Sequence, residues 1–410
     1  MGIEARVENL REPARAATRV ELWAAGMAAA IILYFIWFGI SLSGTSELLP
    51  TYRYLVNAAL LALAGTALTV FAFQRAKRRA RLAGTSLFLA SVALIISITD
   101  VYILTFRFDT SGPNWNLVLT HNRWVNTFVH TNEAGFWERS LKPYQGPGHD
   151  ERYIIAAVGD SFTFGQGVLG AEYRFTNRLQ RSLQDTFGPR VEVLNFGLSG
   201  GDTRSEAQWI RESVPQVHPD MVIVFYLAND IDARNVYSAG ARGTGDPPTT
   251  LLLASPTVNY AYWYLFGPFV YESAGGVYFR NLLLAYLDEQ RMRQHLSEVD
   301  ALINAIRDIG ARPALVILPF PHMWTDVIKE VQLQIYTQIA DQAEASGAIV
   351  LNLASLEAEV PPERFQVNHI DAHPNEDVHA LIAGRVHQWL SAQPQLLEDV
   401  ARLRELGESN

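Results

Sequence analysis

The sequence predicts an open parallel α/β sheet with helices on both faces, preceded by three transmembrane helices. Three observations predict it. Long uncharged runs crowd into the first hundred or so residues. From about residue 150, short apolar runs alternate with amphipathic stretches. Polar, glycine-bearing motifs follow those apolar runs directly, as they should where a parallel sheet offers the carboxyl ends of its strands to a ligand.

The uncharged runs are Leu22–Leu42 (21 residues), Tyr54–Gln74 (21) and Leu82–Thr99 (18). Each can cross a hydrocarbon core of about 30 Å at about 1.5 Å rise per residue. The first is too long for a cleavable signal, and two more follow it. The loop between the second and third carries Arg75, Lys77, Arg78, Arg79 and Arg81, whereas the loop between the first and second holds only Glu47 and Arg53. The positive-inside rule puts the basic loop and the amino terminus in the cytoplasm and everything after about residue 107 outside. Asp100, near the outer end of the third run, is read as reaching water.

Charge divides the same way. Up to residue 110 there are 11 basic and 7 acidic residues; the remainder carries 22 and 35. An acidic main domain argues against nucleic acid as its partner, because phosphate backbones need a basic face. The chain has no cysteine, which removes disulfides, thiolate metal sites and a cysteine nucleophile. Asp202 and Asp230 belong to no cluster at ligand spacing, so neither a metal nor another cofactor is expected.

Buried strands are expected at Tyr153–Val158, Val191–Leu194, Met221–Tyr226, Ala314–Leu318 and Ala348–Leu351. Amphipathic segments such as FTNRLQRSLQDTF and SEVDALINAIRDIG lie between them. The first strand runs into Gly159-Asp160-Ser161, the second into Asn195-Phe196-Gly197-Leu198-Ser199-Gly200, and the third into Leu227-Ala228-Asn229-Asp230. Asp371-Ala372-His373-Pro374-Asn375 stands near the carboxyl end. Each motif alone admits a structural reading: a helix cap at Ser161, turns at Gly200 and Asn229, a loop histidine at His373. Four of them in order on one sheet edge suggest chemistry. A serine hydroxyl needs a base, which His373 can supply, and Asp371 could orient the imidazole. The backbone N–H groups of Ser161 and Gly200 and the side-chain amide of Asn229 are candidate oxyanion donors. Asp160 is read as bracing its loop, and His379 as structural.

These blocks resemble the SGNH, or GDSL-like, hydrolase superfamily over about residues 150 to 392. The resemblance implies a flavodoxin-like three-layer α/β/α fold, with Ser161 as nucleophile, Gly200 and Asn229 as oxyanion donors and His373 as base. Two positions depart from the family pattern. Leu227 takes a place often held by glycine, and Asp371 precedes the histidine by two residues instead of three. The segment Asn132–Trp137 is similar to a lead-in of membrane-anchored bacterial members; together with the three spans, that resemblance implies a multi-pass protein of the bacterial cytoplasmic membrane.

The expected organisation is a membrane domain (1–106), a juxtamembrane connector (107–150), a hydrolase domain (151–395) and a polar tail (396–410). An aromatic-rich insertion at 236–285 is read as a lid, a lip or ordinary packing. The expected function is a serine esterase acting on O-acyl groups of an envelope glycan or lipid. Alternatives are an O-acyltransferase, which would need an acyltransferase partner or external donor, and an inactive scaffold or glycan-binding module.

Overall fold

Strands form at the apolar runs: β1 (Tyr153–Gly159), β2 (Val191–Gly197), β3 (Met221–Tyr226), β4 (Arg312–Ile317) and β5 (Ile349–Asn352). The computed structural model describes residues 48–110, 118–145, 151–231, 252, 255–266, 281–319, 326–360, 362–368, 371–399 and 401. The five strands pair in parallel in the order β2-β1-β3-β4-β5. Every residue of β1 and β3 is buried. That explains why their sequences are unbroken apolar runs: helices cover both faces of a parallel sheet.

The helices are α1 (Leu48–Ala76), α2 (Ala80–Phe106), α3 (Leu119–Phe128), α4 (Ser161–Phe164), α5 (Phe175–Phe187), α6 (Thr203–Glu212), α7 (Pro256–Ala261), α8 (Glu289–Asp308), α9 (Asp326–Ala345) and α10 (Glu376–Ser391). α5 buries Phe175, Leu179, Leu183 and Phe187, a stripe at four-residue intervals. Asp202 and Ser205 close a reciprocal cap on α6, and the Asp288 carboxylate caps α8. α5 packs with α10, while α6 packs with α8 and α8 with α9. Right-handed crossovers set these two groups on opposite faces of the sheet. The direction of winding reverses between β1 and β3, which opens a crevice at their carboxyl ends.

The chain forms two compact units, one from residues 1–107, 116–120 and 246–265 and the other from 108–115, 121–245 and 266–410. The second holds the sheet. There Trp124, Trp137 and Phe164 form a small cluster with Phe108 and Phe128 against it, and the Trp124 indole N–H donates to the Leu169 carbonyl at 2.9 Å.

In the first unit α1 packs on α2 with an inverted pattern. The contact face of α2 buries Ala83, Ala90, Ala93, Ser97, Asp100 and Ile103, and α1 contributes Leu61, Ala64 and Ala67. Large apolar side chains point outward, with Phe88 67%, Ile95 63% and Ile98 61% exposed. Among the described residues, α2 alone is long and apolar enough to cross a membrane, where the sequence suggests three such helices. The run at 22–42 lies outside the described residues. α1 covers the run at 54–74, of which the side chains from Leu60 onward are described.

Asp100 departs from its sequence reading. It does not reach water but is fully buried. Its carboxylate accepts from the Ser255 hydroxyl at 2.9 Å and the Thr257 backbone N–H at 2.6 Å, at the first turn of α7. A carboxylate at a helix amino terminus meets unpaired N–H groups, which offsets its desolvation. Asn259 secures the same segment, accepting from the Leu119 N–H at 3.1 Å and donating to the Leu252 carbonyl at 3.1 Å. Arg107 donates to the Tyr260 hydroxyl at 2.6 Å. This part of the aromatic insertion is thus tied to α2. Asp100→Leu strands two donors at a cost of about 1–3 kcal/mol each. Limited proteolysis of the full-length variant should show faster cleavage within residues 236–285 than the parent, with cleavage elsewhere unchanged.

Candidate active site

β1 ends at Gly159, and Asp160 caps the next turn, its Oδ1 accepting the Phe162 N–H at 2.9 Å. Ser161 is the first residue of that turn, so its side chain leaves the strand end into the crevice. Its Oγ lies 2.8 Å from Nε2 of His373, a residue 212 positions away in sequence. His373 sits on β7 (Asp371–Pro374), which pairs antiparallel with β6 (Gln366–Asn368). Two residues later Asn375 caps α10, its Oδ1 accepting from Asp377 and Val378 N–H. Asn375 also bonds back to the Phe365 and Arg364 carbonyls at 3.0 and 2.7 Å. The histidine is therefore held by a helix cap on one side and a short hairpin on the other. Gly167 lets the loop after α4 approach β7, because a Cβ there would run into the Pro374 carbonyl.

Asn195, at the end of β2, braces the serine turn. Its Nδ2 donates to the Thr163 carbonyl at 2.6 Å and the Thr176 hydroxyl at 2.9 Å, and its Oδ1 accepts the Gly197 N–H at 2.8 Å. Gly200 lies in the exposed loop beyond β2 with φ at +78°. The position has open space around it, so the glycine is needed for that left-handed backbone and not for clearance. Asn229 follows β3 and donates through Nδ2 to Asp160 Oδ2 at 3.0 Å. Ser161, His373 and Asn229 therefore meet around Asp160. Gly200 is close in topology, since β2 and β1 end level at Gly197 and Gly159. The Asp371 backbone opens β7, and its side chain lies outside the described residues.

Other polar groups at this edge serve the fold. His379 is buried, stacks on Phe175 with ring centroids 5.4 Å apart, and accepts the Phe175 N–H at Nδ1. Burial, with Arg178 nearby, pushes its pKa down to about 3, so it stays neutral. Asp230 accepts the Leu227 N–H at 2.9 Å and closes the turn that carries Asn229. Leu227, in the family's glycine place, is buried. Among the described residues no three His, Asp or Glu side chains converge as metal ligands.

Three buried carboxyls stand at this edge: Asp160, Asp230 and Glu206 on α6. Burial pushes Asp160 up from its ordinary range, opposed by the Asn229 and Phe162 donors. Burial and then the other acids push Glu206 and Asp230 well up, and neither Glu206 oxygen has a hydrogen-bond partner. Sequence reading missed Glu206, although its spacing signals it. Thr203, Glu206, Ala207 and Ile210 form one buried helical stripe. An acid whose folded pKa is raised favours unfolding above its ordinary value, 4.5 for Glu206, because the unfolded chain releases a proton that the fold retains. Glu206→Gln should raise Tm at pH 7–8, by about 2–4 °C for each 1 kcal/mol gained. The gain should shrink as pH falls through about 5 toward 4, where both states hold the proton. Thermal unfolding across pH measures it.

The model of the GDSL-like Lipase/Acylhydrolase family matches residues 157–381, more than half of the chain. No curated protein matches significantly. Among solved structures, the psychrotrophic esterase EstA from Pseudoalteromonas sp. is 17% identical, covering 58% of this chain and 98% of its own, with a TM-score of 0.37. TesA is 16% identical, covering 59% and 99%, with a TM-score of 0.38. A mutant of Axe2, an acetyl-xylooligosaccharide esterase from Geobacillus, is 16% identical, covering 61% and 98%, with a TM-score of 0.37. The weight rests on the family model, which runs from the end of β1 to the first turns of α10 and takes in both the Gly159-Asp160-Ser161 turn and the His373 strand. On that match the chain belongs to the GDSL-like lipase/acylhydrolase family and is a serine ester hydrolase.

Proposed function

We propose that this chain is a membrane-anchored esterase, working outside the cytoplasm of a bacterium, that removes O-acyl groups from an envelope glycan or lipid. The 2.8 Å contact between Ser161 Oγ and His373 Nε2 carries the chemistry. With the ring proton on Nδ1, Nε2 takes the hydroxyl proton as Oγ attacks the ester carbonyl. The N–H groups of Ser161, Gly200 and Asn229 receive the developing oxyanion. Collapse expels the alcohol, protonated by His373, and leaves an acyl-serine. Water, deprotonated in turn by His373, releases the acid. Asp371 orients the imidazole through its Nδ1–H. A sugar hydroxyl in place of water would turn the same intermediate toward O-acyl transfer.

The packing of α1 on α2 supports the anchor. In lipid there is no hydrophobic gain from burying large side chains, so small residues mediate helix contact and large apolar ones face outward. α2 has that distribution, and the exposed basic residues 75–81 before it support a cytoplasmic loop. The anchor in this reading includes α1 and the run at 22–42.

Full-length protein in detergent should hydrolyse a short-chain nitrophenyl ester. Ser161→Ala and His373→Ala should each lower kcat by about 10⁴-fold or more, and Asp371→Ala should lose roughly ten- to a hundredfold less than His373→Ala. Equal rates for Ser161→Ala and the parent would overturn the nucleophile. Supplying an acetylated polysaccharide and following released acetate against acetate transferred to an added glycan separates hydrolysis from transfer. For topology, a phosphatase reporter fused after Asn410 should be active, and the same reporter placed after Arg79 inactive.

A further inference from the structure

Asp160 lies directly before the serine and is wholly buried. Its carboxylate nonetheless meets three donors. Oδ1 accepts the Phe162 N–H at 2.9 Å, and Oδ2 accepts Asn229 Nδ2 at 3.0 Å and stands 3.3 Å from the Ser161 hydroxyl. The hydroxyl has one proton and a nearer acceptor in His373 at 2.8 Å. The firm consequence of Asp160 is therefore for Asn229.

The two ends of a carboxamide are almost the same shape, and only their partners decide which way round it sits. Asn229 Oδ1 is buried and takes no hydrogen bond, so nothing holds that end. The other end is held by a group that can accept and never donate while ionised. One N–H of Nδ2 goes to Asp160, which leaves the second for a ligand. A carboxylate at 160 thus selects the amide orientation that offers an N–H and rejects the one that offers an oxygen.

We propose that Asp160 is a positioning residue: its carboxylate holds the Asn229 amide in the orientation that presents an N–H to the developing oxyanion. The proposal rests on the reading of Asn229 as an oxyanion donor. Asp160→Asn tests it closely. The new side chain keeps an acceptor for the Phe162 N–H, but turns its own NH₂ toward Asn229 and Ser161. Two facing NH₂ groups repel, and Asn229 turns over to present Oδ1 inward.

The experiment is a double-mutant cycle on ester hydrolysis by the full-length protein, with Tm measured for each variant. Asn229→Ala and Asp160→Asn should each lower kcat by about 10²–10³-fold, the usual loss of one oxyanion donor, with KM changed less than about threefold. The double variant should be no slower than the slower single variant within about threefold, because both changes remove the same N–H. If Asn229→Ala is fully active, Asn229 is not a donor and the underlying reading fails. If Asn229→Ala is slow but Asp160→Asn is fast, or if the two losses multiply, Asp160 does not act through Asn229 and this proposal alone fails. Should Asp160→Asn not fold, Asp160→Glu takes its place, keeping the charge but displacing the acceptor, with the same non-multiplying loss expected.

Discussion

β1 and β3 lie side by side, with Gly159 level with Phe225, and their connections leave in opposite directions. The site depends on that divergence. One strand delivers Asp160 and Ser161, the other delivers Asn229, and the gap between the departing chains leaves room for a ligand. Burial of the apolar strands holds the two ends in register. The hydrogen bonds at Asp160 then convert a backbone arrangement into side-chain placement. The histidine arrives separately, on a hairpin secured by the Asn375 cap. A contact spanning 212 residues is thus assembled from two local devices, a strand end and a helix start.

Much of this was legible in the chain. The strands were, because sheets covered on both faces require unbroken apolar runs such as Tyr153–Val158; the burial expected at Ala348–Leu351 does not extend to β5, an edge strand in which none of Ile349–Asn352 is buried. The Ser161 turn and the His373 segment were, because polar motifs at strand ends have few structural uses in common. Asp160 could be read as a brace, but not as a partner of Asn229, since that bond joins residues 69 apart and no local pattern encodes it. Glu206 hid in an amphipathic helix where charge usually means solvent. Gly200 reads in sequence as a turn or an oxyanion donor, and its left-handed backbone gives the reason for a glycine there. The Asp371 side chain, two residues from His373 where the family has three, lies outside the described residues.

Asp100 shows the same limit. An acid near the end of an apolar run reads as a residue reaching for water, and only the fold reveals donors from Ser255 and Thr257. The helix pair around it inverts soluble packing, with alanines at the contact and phenylalanine and isoleucine outside. A buried polar group in such a contact is tolerable only when hydrogen-bonded, and the amino-terminal turn of α7 fulfils that condition. The aromatic insertion, which looks in sequence like an elaboration of the hydrolase domain, sends residues 246–265 to the unit that contains α2.

This arrangement has a consequence for biogenesis. Asp100 leaves the ribosome 155 residues ahead of Ser255, a lag of roughly 8–30 s at about 5–20 residues per second. During that interval the helix pair must wait with its carboxylate unmatched, so the unit that begins the chain cannot be completed until residues 246–265 have been made.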